Sequence, residues 1–251
     1  MRIITDTTVW YNGLDDPKWQ GLYTATHINF GELAFSHKIH KDFKRWKRAI
    51  TNLRDVPTHY LHSEPQQFLL YGGDERAEGN GKVVLQPVFK FFRGVIDHDT
   101  EFNFTPEIKY IIDKENEKYK QIRDLMQRII RDSQRSERMG SGKRISVEEA
   151  RLYFRQVFCQ AFMSDQILDI DHSQVDWSEF ELLEKTGAQF FHELQTGKRG
   201  YVENDYFDLC NLMYVSPRDK YFVIEKKWKE LIRDAGMGHY IYEPIINIKV
   251  V

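Results

Sequence analysis

Four acidic residues of this chain have the types and the positions that a divalent-cation site requires. Asp6 ends a short apolar run, and Asp219 follows another. Glu32 lies at the head of a helical pattern, and Asp205 lies where a later helix could start. In open α/β sheets, ligands bind at the carboxyl ends of the strands, and acids gathered there repel one another unless a cation holds them. Mg²⁺ or Mn²⁺, which prefer oxygen ligands, are the cations we expect.

Hydrophobic periodicity predicts the elements that would position these acids. Residues 2–6 are typical of a short buried strand, from their length and β-branched content. The apolar positions from Glu32 to Leu53 recur at helical steps, with basic residues on the other face. Further helices are predicted over 107–130, from Ser146 and from Asp176. Glu149 and Glu179 follow the last two at the capping-box spacing.

The C-terminal fifth of the chain returns to an alternation of strands and helices. Leu212–Val215 is typical of a strand, and the apolar positions from Ile224 to Ala235 form one face of a helix. Tyr240–Tyr242 and Ile245–Val251 are again typical of strands. A strand–helix–strand succession implies a right-handed crossover in a largely parallel sheet.

The predicted fold is therefore α/β, with a three-layer core around a mainly parallel sheet. Residues 1–53 and 201–251 are expected to build this core. Residues 54–200 are predicted to be a large, mostly helical insertion that is continuous with the core.

Composition sets limits on the class of protein. A chain of 251 residues with 41% hydrophobic content can bury a full core, and its net charge of -2 means that any nucleic-acid surface must be a local patch. Cys159 and Cys210 lie in apolar patterns, which predicts buried thiols rather than a zinc site. No apolar run approaches the roughly 20 residues of a membrane span, and Met1–Ile4 leads into charge rather than a signal peptide. We expect a cytoplasmic protein without membrane contact.

Four segments together resemble the PIN-domain nucleases: residues 3–10, 23–33, 204–208 and 214–222. Members of that family have a strand that ends in Asp, a Glu-Leu pair that opens a helix, an Asp at a later helix start, and an Asp after the next strand. The order agrees here. Thr8 stands where the first motif usually carries Asn, and Pro217 stands where Thr or Ser precedes the last Asp by two residues.

The resemblance implies metal-dependent hydrolysis of phosphodiester bonds, most often in RNA. It implies Asp6, Glu32, Asp205 and Asp219 as catalytic residues. Asp6, Asp205 and Asp219 would hold Mg²⁺ or Mn²⁺, with Asp208 as a fifth acid or an outer anchor. A metal held there would polarise the phosphate and lower the pKa of a bound water.

The basic helix face is the predicted contact for RNA, including single-stranded RNA. Lys41, Lys44, Arg45 and Arg48 could neutralise phosphates there, although such a face can also be simply solvated. Two other functions stay open. One is a catalytically silent PIN-like domain that binds nucleic acid or a protein, and the other is a phosphatase of small phosphoesters that uses the same acids. An inhibitory protein partner is a further alternative for the inserted helices.

Overall fold

The computed structural model of the chain describes the sheet, the helices around it and the connections between most of them. The described residues are 1–12, 22–34, 36, 38–57, 59–73, 81–97, 146–163, 170–202 and 204–244, with selected positions between 106 and 131. The described positions in that last stretch are helical, in agreement with the helix predicted over 107–130. Residues 245–251, predicted to be a strand, lie outside this set. Among the residues described, no helix combines the length and the apolar character needed to cross a membrane.

A sheet of four parallel strands forms the centre of the fold. They are β1 (Ile3–Thr5), β2 (Tyr23–Thr26), β3 (His59–Leu61) and β4 (Lys220–Phe222), in the order β3-β2-β1-β4. Ile3 of β1 pairs with Tyr23 of β2 and with Lys220 of β4. Because neighbouring strands run in the same direction, their carboxyl ends meet at one edge of the sheet. The predicted α/β class with a mainly parallel sheet is confirmed.

Helices pack on both faces of this sheet. They are α1 (Thr7–Asn12), α2 (His27–Ala34), α3 (Lys38–Lys41), α4 (Phe43–Asp55), α5 (Pro65–Leu70), α6 (Gly81–Ile96), α7 (Val147–Met163), α8 (Glu181–Gln195), α9 (Asn204–Leu212) and α10 (Lys226–Asp234). The predicted capping box at the start of α7 is present, because the Ser146 N–H donates to Glu149 Oε2 at 2.7 Å and the Glu149 N–H donates to Ser146 Oγ at 3.2 Å. The helix predicted from Asp176 begins as a 3₁₀ turn and continues as α8.

Alternation along β1 divides the buried side chains into two clusters. Ile3 packs with Trp46 of α4 and with aromatic side chains of α6 on one face of the sheet. Ile4 packs on the other face with helices that include α8 and α10, where Phe190 and Trp228 stack at 5.7 Å. Successive side chains of a strand point to opposite faces, so a three-residue strand can serve both clusters. The result is a helix–sheet–helix arrangement in three layers.

Three of the predicted elements differ in the structure. Tyr240–Tyr242 is not a strand, because Tyr240 ends a 3₁₀ turn that begins at Gly238 and Ile241 forms only an isolated bridge with Tyr221. Leu212–Val215 is not a strand: Leu212 ends α9, and the Val215 N–H donates to the Leu212 carbonyl at 3.2 Å in the turn that follows. The strand is Lys220–Phe222 instead. A short apolar run has no period that separates a strand from a buried helix end, which is why the sequence pattern was misleading. The helix predicted from Glu32 to Leu53 is likewise three helices, α2 to α4, with Glu32 inside α2 and Asp42 capping α4.

The boundary predicted at residue 53 does not separate the sheet from an insertion. β3 lies beyond that boundary, yet its residue His59 pairs with Thr24 of β2. The helix α8 also packs against α9 and α10 of the predicted core. The predicted insertion therefore contributes the strand β3 and at least two covering helices, α6 and α8, to the central layers.

Candidate functional site

Asp6 stands at the carboxyl end of β1, where the strand turns directly into α1. Its backbone N–H donates to the Phe222 carbonyl of β4 at 2.9 Å, which fixes it at the edge of the sheet. The side chain is 1% exposed and accepts hydrogen bonds from the Thr8 hydroxyl and from the Thr8 N–H. Burial raises the pKa of Asp6, the Thr8 hydroxyl opposes that rise, and the negative charge of Glu225 adds to it. Thr8 thus holds the Asp6 carboxylate in place.

Asp208 lies near enough to Asp6 for their charges to interact. It lies on α9 and is 7% exposed. Burial raises the pKa of Asp208 well above its ordinary value, and the charges of Asp6, Glu32 and Glu225 raise it further, whereas Lys227 lowers it. The charges of Asp6, Glu32 and Glu225 therefore all act on Asp208. We call Asp6, Glu32, Asp208 and Glu225 the acid cluster.

Glu225 is the member of the cluster that the sequence pattern did not identify. It directly precedes α10 and follows β4 by three residues, so it stands where this strand leaves the sheet. Because the sequence pattern predicts a strand at Leu212–Val215, it indicates Asp219 as the acid that follows that strand. The sequence signal that could have identified Glu225 is its position directly after the apolar run from Tyr221 to Ile224.

A buried hydrogen-bond network holds the elements of the site together. Asn29 of α2 donates through Nδ2 to the Thr5 carbonyl at 3.1 Å, and its Oδ1 accepts from the Thr26 N–H at 2.9 Å. The Thr26 hydroxyl donates to Asn211 Oδ1 at 2.8 Å. Asn211 lies three residues after Asp208, on the same side of α9. The network therefore ties the ends of β1 and β2 to the two helices that carry Glu32 and Asp208.

Asp205 lies at the margin of the acid cluster and is held by a lysine. Its Oδ2 accepts from the Val202 N–H at 2.8 Å, and its Oδ1 lies 3.2 Å from Lys227 Nζ. The same ammonium lies 3.5 Å from Glu225 Oε2. Burial would lower the pKa of Lys227, but the charges of Asp205 and Asp208 outweigh it and raise that pKa. Lys227 thus joins Asp205 to the cluster and supplies one positive charge beside it.

Asp219 does not lie with the other predicted site residues. It precedes β4 at the level of Arg2, whereas Asp6 follows β1, so the two are about 13 Å apart along the strand direction. The Arg2 guanidinium donates to Asp219 Oδ2 at 2.6 Å, and the Ser216 hydroxyl donates to the same oxygen at 2.7 Å. Burial would raise the pKa of Asp219, but these hydrogen bonds outweigh it and hold that pKa below its ordinary value. The expectation that Asp219 shares a pocket with Asp6 is therefore wrong. The positive charge beside Asp219 is that of the Arg2 guanidinium.

The donors of the acid cluster fit a hard divalent cation in their chemistry. They are all carboxylate oxygens, which Mg²⁺ and Mn²⁺ prefer. Burial raises the pKa values of Asp6 and Asp208, and the charges of the neighbouring carboxylates raise them further, while Lys227 lowers that of Asp208. Within the described residues, however, no three His, Cys, Asp or Glu side chains are close enough to ligate one ion. The charge of the site suits a metal, and its side chains would have to converge further to bind it.

The predicted basic face lies beside this site. Lys41, Lys44, Arg45 and Arg48 are all exposed on α3 and α4. Arg45 lies over the Tyr11 ring at 5.7 Å from its centre. Burial raises the pKa of Tyr11 to about 12, the Ser36 hydroxyl opposes this, and Glu32 raises it further. Tyr11 therefore lies between Glu32 of the acid cluster and the basic face.

Comparisons of the chain with protein-family models, with curated proteins and with solved structures found no match.

The two cysteines, Cys159 and Cys210, are buried as predicted.

Proposed function

We propose that this chain is a Mg²⁺- or Mn²⁺-dependent nuclease of PIN-like type that hydrolyses phosphodiester bonds in RNA. The observation that carries the proposal is that Asp6 and Glu225, which follow β1 and β4, and Glu32 of α2 lie near enough to Asp208 for their charges to raise its pKa. Ligands bind at this edge of parallel sheets. Buried carboxyl groups with strongly raised pKa values are common at catalytic centres, because burial and neighbouring like charges are arranged there to shift those pKa values.

The burial of each residue in the acid cluster indicates the role that we assign to it. Asp6 and Asp208, the two most buried, would hold the cation, whose chemistry is to polarise the phosphate and acidify a water. Glu32 and Glu225 are more exposed and would accept the proton of the attacking water on a carboxylate oxygen. Lys227 lies 3.5 Å from Glu225 and would donate through Nζ to a phosphate oxygen as negative charge develops there.

The basic face supplies the binding surface for the substrate. In the described part of the chain, Lys41, Lys44 and Arg48 form no ion pair, so their charges are available to phosphates. Each phosphate neutralised releases counterions, which gives affinity without sequence preference. Arg45 is held against Tyr11 and Asn12 and would contact the backbone nearest to Glu32.

Cleavage of end-labelled single-stranded RNA tests the proposal. The wild-type protein should cut the RNA with Mn²⁺ and not with EDTA. Asp208→Asn should lower the rate about 100- to 1000-fold, the usual effect of removing one electrostatic group from a catalytic centre. Asp234→Asn, which removes an equal charge from an exposed position of α10, is the matched control.

Two other outcomes would overturn the proposal in favour of its alternatives. Binding of RNA without cleavage under any divalent cation would indicate a silent binding domain. Hydrolysis of a chromogenic phosphomonoester, with RNA left intact, would indicate a phosphatase.

A further inference from the structure

A second concave feature lies beside the acid cluster, at the edge of the sheet that β3 forms. It is a cavity of about 500 Å³ between β3 and the helices α2, α4 and α6. Pockets that bind small organic groups usually measure roughly 300–1,000 Å³ and are mostly apolar, so this cavity has a suitable size. The proposed cleavage chemistry does not use it.

Aromatic rings line the cavity in an arrangement that suits a flat ligand. The rings of Tyr60 on β3 and of His62, which directly follows that strand, lie 5.8 Å apart and only 12° from parallel. Phe30 of α2 lies 6.4 Å from His62 at 21° and continues this platform. Phe89 of α6 stands edge-on to it, at 80° to His62 and 71° to Phe30. These rings give the cavity an aromatic lining, which suits contact with a planar ring.

The rim of the cavity carries positive charge that the described residues do not neutralise. Lys90 and Arg93 lie three residues apart on α6, so they are neighbours on one face of that helix. Both are exposed, and neither forms an ion pair within the described part of the chain. The third cation of the rim, Arg54, is paired with Asp55 at 2.5 Å. A ligand that combines a flat ring with negative charge matches this surface.

One residue that lines the cavity, His62, stands at the carboxyl edge of the sheet, as the proposed cleavage site does. His62 follows the carboxyl end of β3, and its carbonyl lies 3.1 Å from Nδ1 of His27, the first residue of α2. Since β3 and β1 are two strand spacings apart, His62 lies about 10 Å from Asp6 across the sheet. That distance corresponds to about three nucleotides of a stacked strand at 3.4 Å each.

We propose that this cavity binds one unpaired base of a single-stranded nucleic acid, with Lys90 and Arg93 contacting the phosphates beside that base. The inference rests on the proposed nuclease function and deepens it. A base stacked here would set which phosphate reaches the acid cluster. Stacking of bases on aromatic side chains together with a basic groove is the usual way in which proteins hold single strands.

The test is the affinity of a short fluorescein-labelled single-stranded RNA, measured by anisotropy in EDTA so that no cleavage occurs. One base at a time is replaced by an abasic site along the RNA. We expect one position at which loss of the base weakens binding about tenfold, within the range for one stacked base. Tyr60→Leu should abolish the difference between the intact and that abasic RNA, and Tyr60→Phe should retain it because the ring remains.

A charge-matched pair of variants tests the rim. Lys90→Gln with Arg93→Gln should weaken binding about tenfold at low salt, whereas Lys120→Gln with Arg128→Gln, exposed on another helix, should change it little. Equal effects of the two pairs, or an abasic series without any sensitive position, would overturn the inference even if Mn²⁺-dependent cleavage is found. Base-sensitive binding without cleavage would instead refute the proposed function and leave the base pocket standing.

Discussion

Arg2 and Asp219 form an ion pair that joins the amino ends of β1 and β4. The guanidinium donates from Nη2 to Oδ2 at 2.6 Å, and the Arg2 backbone N–H donates to Oδ1 at 2.9 Å. The two residues are neighbours in space although the length of the chain separates them. The pair fastens the first strand of the sheet to the last, at the end opposite to the acid cluster.

Asp219→Asn should therefore reduce stability and leave catalysis unchanged. Loss of a buried charge-assisted pair should lower the free energy of unfolding by about 2–3 kcal/mol, since Arg2 stays partly hydrated. The pKa of Asp219 is lowered in the fold, so this stabilisation is present above the unfolded-state pKa and is lost as pH falls through the folded-state pKa. Urea denaturation at neutral and acidic pH measures it. A large loss of cleavage by fully folded Asp219→Asn would return this residue to the active site.

Asp208→Asn should stabilise the protein at neutral pH while it removes activity. The pKa of Asp208 is raised, so the folded state favours the neutral carboxyl, and stability falls as pH rises from the unfolded-state pKa towards the folded-state pKa. The side-chain amide of the variant cannot ionise, so the variant does not lose stability as pH rises. The melting temperature of Asp208→Asn should exceed that of the wild type by a few degrees near pH 7, and the difference should shrink near pH 4. A variant less stable than the wild type at neutral pH would contradict the inference that the ionised form of Asp208 is unfavourable in the folded state.

Mn²⁺ should stabilise the wild-type protein against heat. Binding to the folded state alone contributes about 2.7 kcal/mol when the ion is at 100 times its Kd. For a chain of this size that is a rise in Tm of roughly 5–10 °C. Asp6→Asn should abolish the shift, and Asp234→Asn should retain it. An equal shift in Asp6→Asn would mean that the ion binds elsewhere on the protein.

Glu225→Gln should lower the cleavage rate, because Glu225 and not Asp219 is the acid at the exit of β4. We expect a loss of about 100-fold or more from this neutral, nearly isosteric change. Glu230→Gln, on the exposed side of α10, is the control. Rates measured at saturating RNA and Mn²⁺ separate this effect from weaker binding. Full activity in Glu225→Gln would restrict the catalytic set to the other three carboxylates.

Lys44→Gln with Arg48→Gln should reduce the salt dependence of RNA binding. For single strands the slope of log affinity against log salt is about 0.7 per phosphate contact, so removal of two contacts should reduce it by about 1.4. The Lys120→Gln and Arg128→Gln pair serves again as the control of equal charge. An unchanged slope would mean that the face from Lys41 to Arg48 is solvated and does not touch RNA.

Local features of this protein were readable from the sequence. The strand before Asp6, the capping box of Ser146 and Glu149, and the helix face from Trp228 to Ile232 all depend on residues a few positions apart. Their stabilising contacts lie within one or two turns or along one strand. The alternation of strands and helices was sufficient to predict a parallel α/β sheet, because parallel neighbours require long crossovers.

The membership of the acid cluster was decided only by the tertiary structure. Glu225 and Asp219 lie six residues apart and flank the same three-residue strand, and both follow apolar runs. Pairing of Ile3 with Lys220 brings Glu225 to the carboxyl edge of the sheet and Asp219 to the amino edge. No local preference selects this register. It follows from the burial of Tyr221 and Phe222 against two distant helical layers and from the hold of Arg2 on Asp219, which are contacts between the two ends of the chain.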